Sequence, residues 1–116
     1  MTIPQGDHAI AKDPNAFYND LSPEDQQKYF KLVESHSYGT FKAKSTAASW
    51  KEIPTSYLLC ENDIAIPSFA QEMMTGGVKA MGGEIEIERL DSSHSPYLSH
   101  PDDVVSWIRR AAGEKL

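Results

Sequence analysis

The chain has 116 residues, 40% of them hydrophobic and 24% charged, which is ordinary globular composition with room for one domain at most. A formal net charge of -6 leaves no basic stripe to displace counterions from a phosphate backbone, so nucleic acid is excluded as a partner. Residues 1–8 lack the basic and then apolar stretch of a secretory signal, and no segment reaches membrane-spanning length. A soluble, cytoplasmic protein without membrane contact is therefore expected.

In chain order, residues 1–14 are polar, interrupted by Pro4, Gly6 and Pro14, and have no period that buries one face; they read as a flexible N-terminal arm. The opening methionine is consistent with a complete reading frame, as it would be with a truncated gene product. From Asn15 the pattern turns helical. Ser22-Pro23-Glu24-Asp25 sets a capping serine before a proline at the first helical position, with a carboxylate three residues on, and predicts a helix from Pro23 to about Ser35. Tyr29, Phe30, Leu32 and Val33 form its apolar stripe. Phe41, Ala47, Ala48 and Trp50 allow a second short helix, so residues 15–50 form a helical segment.

Residues 51–116 are more regular. Thr55-Ser56-Tyr57-Leu58-Leu59-Cys60 predicts a buried strand that ends in the polar loop Glu61-Asn62-Asp63. Cys60, the only cysteine, reads as a buried strand thiol. Pro67 opens a helix with Phe69, Ala70, Met73 and Met74 at helical spacing; Gly76-Gly77 predicts a break in it, and Gly82-Gly83 ends it. The methionines read as core filler. Ile85, Ile87 and Leu90 predict a second strand, followed by the loop Asp91-Ser92-Ser93-His94-Ser95-Pro96-Tyr97. Val104, Val105, Ile108, Ala111 and Ala112 mark the buried face of a last helix. A strand–helix–strand–helix succession is a right-handed crossover unit of a parallel sheet, and such sheets collect function in the loops at their C-terminal strand ends.

Asp63 and His94 both fall in those loops. A histidine that activates a nucleophile needs a carboxylate on its other nitrogen, to fix the tautomer and stabilise the imidazolium formed on proton transfer. Asp91 could pair locally with His94, although a loop carboxylate so placed is more often a turn acceptor. His8, His36 and His100 lie outside any catalytic motif. No convincing metal spacing occurs, and no cofactor is implied.

The stretch Tyr57 to Pro67, then Gln71, then Asp91 to Ser99 and Pro101 resembles the C-terminal half of the α/β-hydrolase family, and within it proteins of the AB-hydrolase-1 type related to plant esterases and hydroxynitrile lyases. The resemblance implies Asp63, four residues before Pro67, as the triad acid, and His94 as the base. It also implies that residues 15–50 are the remnant of a helical cap over the active site. The expected fold is then α/β, a partial α/β-hydrolase with that remnant and a C-terminal strand–helix–strand–helix unit. The implied chemistry is hydrolysis of a small-molecule ester through a Ser-His-Asp triad.

One departure is large. No G-x-S-x-G elbow and no Gly-rich oxyanion loop occurs in the 116 residues. In a triad hydrolase, loss of the nucleophile alone costs on the order of a millionfold in turnover. The sequence therefore reads as truncated and inactive alone, or as a non-catalytic interaction module, or as one half of a split hydrolase. Residues 51–116 also fall short of the roughly 70–80 residues below which a single core rarely supplies more than about 3–5 kcal/mol. An open apolar sheet edge is expected to produce marginal stability, homo-oligomers, or docking onto an N-terminal-half partner.

Overall fold

The structure, a computed structural model, describes residues 2–116. Its first part is a small antiparallel sheet. Strands β1 (Thr2–Gln5) and β2 (His8–Ala11) form a hairpin, with Gly6 at φ +62° in the turn, and β3 (His36–Ser37) pairs with β2 on its other side. The expectation of an arm without regular structure over residues 1–14 gives way here, Met1 lying outside the described residues. The hairpin was hard to read because its period-2 pattern is short and its partner β3 lies 25 or more residues downstream.

Helices α1 (Asn15–Tyr18) and α2 (Pro23–Phe30) follow. Ser22 caps α2 as predicted, its Oγ accepting from the Asp25 amide at 3.2 Å. The helix stops five residues before the expected Ser35. Leu32 and Val33, meant to extend its apolar stripe, are exposed, so no packing sustains another turn. In place of a second helix, two 3-10 turns occupy Tyr38–Phe41 and Ser49–Lys51.

The C-terminal unit follows the predicted order. Strands β4 (Thr55–Cys60) and β5 (Ile85–Leu90) pair in parallel, with Thr55 opposite Ile85 and Cys60 opposite Leu90. Helix α3 (Ser68–Ala80) connects them, and α4 (Pro96–Ser99) and α5 (Pro101–Ala111) follow β5. The expected break at Gly76-Gly77 is absent: α3 runs through both, held by the buried Gln71 and Thr75 on its inner face. Gly82 then ends it at φ +85°. Gly83 is required by close approach, since a Cβ there would stand 2.6 Å from Val78 Cγ1 and 3.0 Å from Trp50. Helix α5 carries Asp102 and Asp103 in its first turn and Arg109 and Arg110 in its last, each sign matched to the helix dipole.

The core is thin. Leu59 and Cys60 are buried as expected, joined by Ala9, Ala16 and Tyr18. The expected core methionines are not buried: Met73 is 73% exposed, and Met74, Met81 and Phe69 are exposed with it. Val105 and Ile108 on α5 are exposed too. These positions have the right period but no layer within the chain to pack against. The Cα radius of gyration, 16.0 Å, exceeds the roughly 13–14 Å of a compact chain of this length.

Candidate active site

The acid and histidine loops leave neighbouring parallel strands at the same end, and the pairing continues beyond the strands. The Glu61 amide donates to Leu90 O at 2.9 Å and the Asn62 amide to Ser92 O at 3.1 Å. Asn62 also donates through Nδ2 to Asp91 Oδ1, so Asp91 serves this loop-to-loop link rather than His94. Residues of the two loops thus share a register that a turn alone would not impose.

Within that frame His94 Nδ1 stands 2.8 Å from Asp63 Oδ2. Asp63 Oδ1 accepts the Ile66 amide at 2.8 Å, which fixes the second carboxylate oxygen and aims the first. The Asp63 side chain is only 5% exposed, while that of His94 is 34% exposed. Ser92, Ser93 and Ser95 around His94 are all buried, so the loop is anchored on both sides and presents the imidazole between anchors. With Nδ1 directed at the carboxylate, Nε2 is the nitrogen left to exchange a proton with a reactant. The ring of Phe17 tilts against the imidazole, centroids 5.5 Å apart.

His94 and Asp63 line a cavity of about 360 Å³ with Cys60, Tyr97, Val104 and Trp107, between β4 and α5. Cys60 is the thiol nearest this chemistry, but burial, aided by the Asp63 and Asp20 carboxylates and opposed by a Ser92 hydrogen bond, pushes its pKa up. It stays a protonated thiol and a poor nucleophile.

Gln71, noted in the sequence only within the family resemblance, has a definite task. Its Oε1 accepts the Cys60 amide at 3.1 Å, and its Nε2 donates to Cys60 O at 2.9 Å and to Ile66 O at 2.7 Å. The amide group thereby copies a neighbouring strand at the last residue of β4 and ties the acid loop to α3. Tyr57 Oη donates to the same Oε1 at 3.3 Å.

Sequence reasoning missed Phe17, Asn19 and Asp20. Asn19 Nδ2 donates to Asn62 O at 2.9 Å, and Asp20 Oδ2 accepts the Ser93 amide at 2.8 Å and the Ser99 hydroxyl at 2.6 Å. Burial pushes the Asp20 pKa up, but its hydrogen bonds to Ser93 and Ser99 outweigh that and leave it below the usual carboxylate value. Contacts across more than 70 positions leave no mark on local periodicity. His100, outside any catalytic motif in the sequence, is partly buried, with Nδ1 2.9 Å from Ser99 Oγ. His36 bonds Thr40 Oγ1 at 3.1 Å, remote in sequence from both loops.

A histidine–carboxylate pair, Asp63 before His94 along the chain, therefore lies at the C-terminal ends of adjacent parallel strands. The alpha/beta hydrolase family model matches residues 3–107, and the chain belongs to that family. It is 37% identical over 102 residues to "Alpha/beta hydrolase nvfD" of Aspergillus novofumigatus, a match covering 88% of this chain and 40% of that protein. It is 32% identical over 99 residues to "Probable hydrolase R7" of a Phoma species, covering 84% of this chain and 41% of the relative. The chain thus spans about two fifths of the length of these curated relatives. Among the described residues, no helix is long and apolar enough to cross a membrane.

Proposed function

We propose that this chain supplies the acid and base of an ester hydrolase, with Asp63 orienting His94 and His94 Nε2 acting as general base for a serine that the 116 residues do not contain in elbow form. The observation that carries the reading is the 2.8 Å bond between His94 Nδ1 and Asp63 Oδ2, one ring nitrogen committed to the carboxylate and both residues lining a cavity. The family is that of hydrolases by the names of its relatives, and the larger part of each relative has no counterpart in this chain.

In the proposed reaction the serine hydroxyl adds to the carbonyl carbon of a small ester as its proton passes to Nε2. The imidazolium, steadied by Asp63, returns that proton to the departing alkoxide. Water then repeats the sequence on the acyl-enzyme and releases the acid. The chain alone should be inactive.

Co-expression with the N-terminal portion of a relative such as the Aspergillus hydrolase, followed by assay on p-nitrophenyl acetate, tests this. Hydrolysis that falls on the order of 10⁴-fold or more in His94→Ala or Asp63→Asn is the expected result. Hydrolysis indifferent to both would sink it. The alternative of a non-catalytic module that completes a partner's sheet is favoured by one feature, the exposed apolar residues on the outer faces of α3 and α5. That role predicts binding of the N-terminal portion without hydrolysis. The same faces should make the isolated chain self-associate, measurable by sedimentation.

A further inference from the structure

Besides the bonds between them, both loops are fastened to a stretch far away in sequence. The Asp63 loop is reached through Asn62 O, which accepts from Asn19 Nδ2 at 2.9 Å. The His94 loop is reached through the Ser93 amide, which donates to Asp20 Oδ2 at 2.8 Å, and through Ser93 Oγ, which donates to Phe17 O at 3.2 Å. Asp20 Oδ2 also takes the Ser99 hydroxyl at 2.6 Å, beyond His94 on its other side.

We propose that Asn19 and Asp20 form a brace that sets the Asp63 and His94 loops against each other, making both residues positioning residues for the pair; their part in turnover rests on the hydrolase reading above. The attachment points are the residues immediately before Asp63 and immediately before His94. A slip of either backbone moves one side chain relative to the other, and a catalytic pair is sensitive to displacements of about 1 Å.

The Ser99, His100 and Asp20 side chains also meet, but not as a second triad. His100 Nδ1 stands 2.9 Å from Ser99 Oγ, but the serine proton goes to Asp20 Oδ2 at 2.6 Å, and the same ring nitrogen is 3.7 Å from that carboxylate, so Asp20 takes the serine proton and does not orient the histidine as its base. That arrangement clamps; it does not activate. The carboxylate of Asp20 makes the stronger clamp because both donors meet a charged oxygen.

The test uses the full 116-residue chain and does not depend on activity. A proton held between imidazole Nδ1 and a carboxylate gives a far-downfield NMR resonance, assigned here by its loss in His94→Gln. Asp20→Ala is expected to keep the far-ultraviolet circular dichroism of the parent while this resonance disappears or exchanges with solvent about tenfold faster, as for loss of one charge-assisted hydrogen bond. Asp20→Asn, which keeps an acceptor for the Ser93 amide, should retain it. A folded Asp20→Ala chain with the parent resonance overturns the brace.

If Asp20→Ala does not fold, Asn19→Ala and Ser99→Ala each remove one attachment. Faster exchange in both, with none in the control Ser45→Ala, supports the brace, and parent behaviour in both overturns it. A brace found this way in a chain that never yields hydrolysis with the N-terminal portion stands, and only the hydrolase reading falls. Where hydrolysis is obtained, Asp20→Ala should lower kcat and leave KM unchanged.

Discussion

The end of the molecule that carries Asp63 and His94 and the flanks formed by α3 and α5 are built in opposite ways. At the strand ends, polar groups are buried and nearly all are satisfied: Asp63, Gln71, Ser92, Ser93 and Ser95 each have hydrogen-bond partners inside the chain. On the flanks the reverse holds, with Phe69 and Met73 exposed on α3 while its buried positions are the polar Gln71 and Thr75. A histidine–carboxylate contact can be assembled from two loops and hydrogen bonds to one distant segment. A hydrophobic layer cannot be closed without a second layer to meet it.

Four perturbations separate these regions, and the largest strikes what both share. Leu59, fully buried next to the end of β4, should lose about 2–5 kcal/mol as Leu59→Ala, read from the urea midpoint. Gln71→Leu should cost about 1–3 kcal/mol, because it strands the Cys60 amide and carbonyl that Gln71 satisfies. A loss as small as that of an exposed site would mean that the strand end does not depend on its polar closure.

The third perturbation is pH. Asp20 has a lowered pKa in the folded chain, so its stabilisation is complete above the ordinary carboxylate value near 3.9 and is lost as pH falls through the lower folded value. Amide exchange at Ser93 should therefore stay slow down to about pH 4 and quicken below it. Smallest of all, Met73→Ser on the open face should change stability by no more than about 0.5 kcal/mol while reducing self-association. A large destabilisation there would show that α3 is covered in solution.

Ser22 as the cap of α2, the two strands and their order were all legible, because capping and alternation act within a few residues. Asp63 and His94 were legible because each sits where a strand pattern ends, with the family resemblance naming their roles. The hairpin of β1 and β2 was not, since four-residue strands carry too little pattern to register. Nor was the early end of α2, which turned on Leu32 having nothing to cover it.

What the sequence by itself determined is the strand–helix–strand–helix unit and the two loops in which Asp63 and His94 lie. Periodicity and turn chemistry are local, and the chain carries them wherever it goes. Only the tertiary structure decided that Asp63 and His94 meet at 2.8 Å, that Gln71 closes the end of β4, and that Asn19 and Asp20 fasten both loops. Those contacts join residues from 11 to 73 positions apart, and hydrogen bonds at such separations are fixed by where whole elements come to rest.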